Sequence, residues 1–252
     1  MKKRISIAIL PQPTEVSCGP TCLQAIYDYY NEEVLLRQII EEIPAFEPGG
    51  GTLAVQLACH ALKKGYRATI YTYNLLMFDP IWFRPPPLTP PQLIERLRQQ
   101  AHQKMRSKLT WATEAYIEYL QLGGKLLYQD LDPHLIRSFV TRQVPILTGL
   151  SATYLYQMAR EYMIDGKQYV DDIKGEPEGH FVILSGYEML SRKVWISDPY
   201  HANPYSPTLR YAIPIDRLIG AILLGIVTHD ANLLVIMPKK GKGKEKHSTP
   251  SI

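Results

Sequence analysis

Apolar residues recur at helical spacing early in the chain: Cys22, Leu23, Ile26 and Tyr30 fall on one face. This pattern predicts a helix from Gly19 to about Asn31, with Pro20 in its first turn, where a missing N–H costs little. "LLRQIIEEI" (Leu35–Ile43) predicts a second, short helix, and "EPGGG" (Glu47–Gly51) breaks it. "TLAVQLACHALKKG" predicts a third, with Thr52 as N-cap and Gly65 as its stop. "YRATIYTY" (Tyr66–Tyr73) alternates and is rich in β-formers, which predicts a strand. Six prolines in "FDPIWFRPPPLTPP" (Phe78–Pro91) predict extended or irregular chain, followed by helices in "QLIERLRQQAHQKM" and "TEAYIEYLQLGG".

The second half reads mostly as strands. "DPHLIRSFVTRQ" predicts a helix capped by Asp132 with Pro133 at its first position, and "VPILTGL" predicts a buried strand. Ser151 to Glu178 is polar and tyrosine-rich and gives no clear element. "HFVILSGYE" and "KVWISDPY" predict two strands joined by a polar turn around "LSRK". "PIDRLIGAILL" predicts a helix and "ANLLVIMP" a closing strand; at the other end, "ISIAIL" before Pro11 predicts a first strand. Helices early and strands late imply an α+β fold, with an antiparallel sheet packed against an N-terminal helical layer.

Composition narrows the classes. Of 252 residues, 46% are hydrophobic and 21% charged, which is ordinary for a globular chain able to bury a sizeable core. Lys and Arg exceed Asp and Glu by only 28 to 24, and part of that excess lies in "KKGKGKEKH", so a nucleic-acid partner is not expected. Residues 238–252 read as a disordered basic tail. Three cysteines make no disulfide framework, which points to a reducing, cytoplasmic compartment. "MKKRISIAILPQP" imitates a signal peptide, and export is the alternative, but its apolar run is short and no small-residue cleavage site follows. "LIGAILLGIV" is too short to span a bilayer, so no integral membrane segment is expected.

Two cysteines lie four residues apart at the mouth of the first helix, in "SCGPTCL". The thiolate is the nucleophilic form, and unpaired N–H groups at a helix N-terminus favour it. Cys18 sits at that end; Cys22 lies one turn further in, on the apolar face, and reads as core, as does Cys59. Gly19 is expected to let a substrate approach the backbone closely. Three other residues fit acyl transfer at Cys18. Gln12 supplies an amide donor for an oxyanion, beside the Cys18 N–H. His180 supplies a base, and Asp198 a group to orient it. A turn centred near Met189 would set His180 directly across from Asp198. Each also has a plainer reading: His180 as a solvent-facing strand end, Asp198 as a turn former.

Other patterns weigh less. The histidines are scattered, with no HExxH or CxxC, so no metal site is expected. No cofactor is expected either: GxxxxGK[ST] is absent, and Gly49–Gly51 lacks a preceding strand. His201, three residues past Asp198, either lines the site or is a loop histidine in water. "TYLYQMAREYM" is either a wall for an extended peptide or core. "FRPPPLTPPQL" is a polyproline ligand or, better, a rigid connector.

Gln12, "SCGPTCL", "GHFVILSGYE" and "ISDPY" together resemble the C39-like cysteine peptidases, a branch of the papain-like superfamily. "GGGTLAVQLACHALKKGYRATI" and "DPHLIRSFVTRQVPILTGL" are similar to that family's second-helix region and its proline-containing strand. The resemblance implies a papain-like fold in which Cys18 is the nucleophile, His180 the general base, Asp198 the orienting acid and Gln12 the oxyanion donor. It implies a single domain over residues 1–237, with insertions at about 74–130 and 151–178 that could rebuild the substrate groove. No exporter membrane region or P-loop follows, so a stand-alone peptidase is expected, acting on a peptide or protein substrate of unspecified cleavage sequence. The alternatives are an acyltransferase or transpeptidase using the same thiol, and a non-catalytic peptide-binding module. The oligomeric state is not legible.

Overall fold

The helical spacing that starts at Cys18 becomes α1 (Cys18–Tyr29), followed by α2 (Leu36–Glu42) and α3 (Ala54–Lys63). The computed structural model describes residues 2–46, 51–164 and 167–239. Gly65 ends α3 with a positive φ of 83°, as a left-handed stop requires. The N-cap of α3 is Leu53, not Thr52: the Gln56 side chain accepts from the Leu53 N–H at 2.8 Å and does the capping from inside the helix. Glu47–Gly50, the expected break before α3, lie outside the described residues.

A short strand β1 (Lys2–Arg4) precedes these helices, and β2 (Tyr66–Thr72) follows them. The ladder of β1 stops before most of "ISIAIL". Ile5 still donates to the Ser185 carbonyl, but the edge beyond it is already paired with another strand. The run therefore continues without a partner strand, with Ile5 and Ile7 buried. Next come α4 (Pro90–Lys104) and α5 (Ser107–Gln121), then β3 (Lys125–Leu127). The Pro90–Pro91 pair opens α4 where N–H groups have no intrahelical acceptor, and α5 starts six residues earlier than its polar-looking beginning predicts. The Tyr119 hydroxyl in α5 donates to Lys125 at 2.6 Å, which ties that helix to the sheet edge.

The remainder is α6 (Pro133–Val140), β4 (Ile146–Ser151), α7 (Ala152–Tyr156), β5 (Glu161–Ile164), β6 (Lys167–Val170), β7 (Gly179–Glu188), β8 (Lys193–Ser197), β9 (Arg210–Pro214), α8 (Ile215–Leu224) and β10 (Asn232–Pro238). Asp132 caps α6 as expected, its carboxylate accepting from Leu135 N–H at 2.7 Å. The main sheet runs β3-β2-β10-β4-β7-β8-β9, with β1 on β7. It is antiparallel except where β3 joins β2. The strand expected to close the sheet, β10, sits in its middle. Pro238, assigned to the tail from sequence, is the last paired residue of β10, and residues 240–252 lie outside the described residues.

The expected N-terminal helical layer is present. Leu23, Ile26 and Leu57 pack with Phe181, Ile183 and Leu234 on one face of the sheet. A second layer was not foreseen. Residues of α6, α7 and α8 cover Val182, Leu184, Leu233 and Val235 on the other face. Adjacent residues of a strand point to opposite faces, so two covered faces explain the unbroken apolar run in "FVIL". Each such Leu or Ile stabilises the fold by roughly 1.5–3 kcal/mol. No helix among the described residues is long and apolar enough to cross a membrane.

Candidate functional site

The start of α1 is tied down before it begins. The Ser17 hydroxyl donates to the Thr14 carbonyl at 2.8 Å, and Gln12 N–H donates to the Pro199 carbonyl at 2.9 Å. The second bond fixes the chain before Cys18 against the chain just after Asp198. One turn into α1, the fully buried Cys22 donates its S–H to the Phe181 carbonyl at 3.3 Å. Residues four apart share a helix face, so Cys18 lies near the neighbouring residue, His180, and the two line one cleft.

On its other side His180 meets Asp198, with Nε2 at 2.8 Å from Oδ1. The strand register behind this contact differs from the expected one. The β7–β8 turn is centred near Leu190 and Ser191, because Glu188 pairs with Lys193, and a bulge between Leu184 and Gly186 shifts the ladder again. Ile183 then pairs with Ser197, so His180 and Asp198 are diagonal neighbours on one face instead of direct partners. A diagonal pair remains within side-chain reach.

Asp198 is completely buried, and its carboxylate accepts four hydrogen bonds. Oδ1 takes His180 and the Tyr200 N–H at 2.9 Å; Oδ2 takes the hydroxyls of Tyr156 and Tyr211, each at 2.6 Å. Burial works against the charged forms of both partners. For His180, the Asp198 charge, the bond to it and the Cys18 thiol outweigh burial and raise the imidazole to about 10. For Asp198, burial is outweighed by His180 and the two phenols, which hold the carboxyl below its ordinary range. The pair is an imidazolium facing a carboxylate. Neither tyrosine was singled out from sequence: Tyr156 lay within an aromatic run readable as core, and Tyr211 has no local signal at all.

Cys18 and His180 line a cleft of about 970 Å³, together with Gln12. Gln12 turns its Nε2 toward the carbonyls of Thr14 and Glu15, at 3.0 and 3.2 Å. The space at Gly19 is filled by the protein itself. A Cβ there would stand 2.8 Å from Thr52 Oγ1 and 3.1 Å from the Phe181 ring, so the glycine serves the packing of α1, not the approach of a substrate. Lys108 and Trp111 of α5 form one wall, and Tyr156, Met158 and the Glu176–Glu178 stretch form another. Residues of both segments, 74–130 and 151–178, thus line the cleft. His201 is exposed and packs edge-on against Tyr200, outside the lining. All three cysteines are free. Burial raises Cys22 well above the ordinary thiol range and pushes Cys59 up to about 12, so both stay protonated at neutral pH. Among the described residues no three His, Cys, Asp or Glu side chains converge as a metal site.

A second buried carboxyl, Asp230, lines the same cleft and was not foreseen. Its Oδ1 accepts from Ala54 N–H in the first turn of α3 and from Asn232 Nδ2, both at 3.0 Å. Burial outweighs these bonds and raises the carboxyl from 3.8 to about 7. The folded chain therefore binds this proton more tightly than the unfolded chain. The stability it contributes is full below about pH 4 and falls as pH rises to about 7, by about 4 kcal/mol. Denaturant unfolding of wild type and Asp230→Asn at pH 4.5 and 7.5 checks this. The wild type is expected to lose ground to the variant at the higher pH; a difference independent of pH would refute it.

No protein-family model and no curated protein matches the sequence. Solved structures that resemble the chain include a Bacillus anthracis protein assigned as a C39-like peptidase, at 13% identity and a TM-score of 0.50, with 96% of this chain and 99% of that one covered. They also include a double-glycine motif protease from an AMS/PCAT transporter in complex with the leader peptide (13% identity, 94% and 95% covered, TM-score 0.44). A third is the peptidase domain of Streptococcus ComA, a bi-functional ABC transporter of a quorum-sensing pathway (12% identity, 92% and 98% covered, TM-score 0.40). At such identity the likeness concerns architecture, and the first of these structures carries it. The helical layer, the antiparallel sheet and their order along the chain are those of the C39-like, papain-like peptidase fold.

Proposed function

We propose that this chain is a cysteine peptidase that cleaves a peptide or protein substrate. The observation that carries the proposal is the 2.8 Å contact of His180 Nε2 with the buried Asp198, in a cleft that Cys18 and His180 line together. With Nε2 held by Asp198, the imidazole faces Cys18 through Nδ1. The proton given up by Cys18 rests on His180 as the imidazolium, and the thiolate attacks the substrate carbonyl to form a C–S bond. The Cys18 backbone N–H, which has no intrahelical acceptor, is one donor for the oxyanion. Gln12 is the second, and to serve it releases Thr14 or Glu15. His180 then protonates the leaving amine, and water deacylates the sulfur. On this reading residues 1–237 form one domain whose segments 74–130 and 151–178 shape the groove. Free cysteines fit a cytoplasmic setting.

The test combines turnover with labelling. Incubation with a peptide library is expected to give cleaved products. A thiol-directed electrophile is expected to modify Cys18 in wild type and much more slowly in His180→Ala, as read by peptide mass mapping. Equal labelling of both proteins, with no cleavage, would favour a binding module. Products carrying an added amine in place of water would favour the transferase.

A further inference from the structure

Among the described residues, no lysine or arginine pairs with Asp198. Its charge is held in the interior by His180, one backbone N–H and two phenols, and both phenols converge on the same oxygen at 2.6 Å. They come from different layers. Tyr211 lies on β9, opposite Ile196 of β8, so it shares the sheet face on which Asp198 stands. Tyr156 ends α7, which covers that face. The two are further linked. Tyr205 packs on Tyr211 with ring centres 5.0 Å apart, and its hydroxyl donates to the Leu155 carbonyl, next to Tyr156. Tyr156 has a second surface: its ring lines the cleft, 6.0 Å from the His180 ring.

A carboxylate with two free rotamer directions would not keep one oxygen on an imidazole. Here Oδ2 is pinned by two short, charge-assisted bonds, so Oδ1 has one direction left, toward His180. We propose that Tyr156 and Tyr211 are positioning residues, a hydroxyl clamp that holds Asp198 ionised and aimed at His180, with Tyr156 also forming the cleft wall. This rests on the peptidase reading only for its consequence in turnover; the clamp itself concerns the charge state behind Cys18.

Hydrogen bonds to the charged form favour it. Burial and the Asp198 charge raise both phenols far above their ordinary range, so the donated protons stay on the tyrosines. The other titratable groups around Asp198 are His180 on β7, Cys18 and Cys22 on α1, and Tyr200 and Tyr205 in the segment between β8 and β9. None of these donates to Oδ2. Removing one phenol should therefore make Asp198 easier to protonate without altering the rest of the set.

The experiment is the pH profile of Cys18 alkylation by iodoacetamide, measured beside peptide hydrolysis on the full chain. Tyr156→Phe and Tyr211→Phe are each expected to move the acid limb upward by about one to two pH units. The double variant should move it further, and Tyr205→Phe should leave it in place. Should a phenylalanine variant not fold, 3-fluorotyrosine at position 156 or 211 alone keeps the shape and strengthens the donor, and should move the limb downward. Profiles that stay fixed while rates fall would overturn the clamp and leave the tyrosines as packing. A shifted alkylation limb in a protein that cleaves no peptide would uphold the clamp and sink the peptidase reading; cleavage with an unmoved limb would do the reverse.

Discussion

Cys18→Ala is expected to reduce peptide hydrolysis to background, on the order of 10⁶-fold where the nucleophile of such a unit is lost. The loss should occur without unfolding. The thiol sits at the cleft surface and its removal opens no enclosed cavity, whereas Cys22 is fully buried and bonded to the Phe181 carbonyl. Cys22→Ala should show the opposite profile: activity kept, and stability lowered by roughly 0.5–3 kcal/mol. Steady-state hydrolysis and denaturant melts of both variants check this. Undiminished turnover in Cys18→Ala would remove the thiol from the chemistry altogether.

The second large effect is expected at Asp198. In Asp198→Ala, two phenols and the Tyr200 N–H lose their acceptor, and His180 loses its counter-charge. Breaking a buried pair from one side costs about 3–5 kcal/mol. Burial then acts on His180 with only Cys18 against it, so its imidazole is expected to fall from near 10. Asp198→Asn is the gentler probe. It keeps the volume but presents an amide to Nε2, and a comparable change in a serine triad lowers kcat by on the order of 10⁴. A histidine NMR titration and single-turnover rates should therefore move together. An unshifted His180 titration would mean the carboxylate does not govern it.

Folding stability carries a matching pH signature from His180. Its folded value lies above 6.5, so its contribution is complete below that pH and is lost as pH rises through about 10. Asp198 gives the complementary limb. Its folded value lies below 3.8, so its contribution is present above that pH and is lost on acidification.

The sequence by itself determined the local elements whose causes are local. The period of Cys22, Leu23 and Ile26 made α1, Asp132 capped α6, and Gly65 stopped α3 because its backbone turns left-handed there. It also put Cys18, His180 and Asp198 forward by residue type and by their surroundings in the chain. Other features arise from contacts between residues far apart in sequence. Only the tertiary structure decided the His180–Asp198 register, since a shifted turn and a bulge leave no mark on apolar alternation. It alone placed β10 in the middle of the sheet, covered the second face with α6, α7 and α8, and filled the space at Gly19 with Thr52 and Phe181. The phenols on Asp198 belong to the same class. A buried carboxylate must find donors wherever the fold brings them, and here they arrive from 42 and 13 residues away.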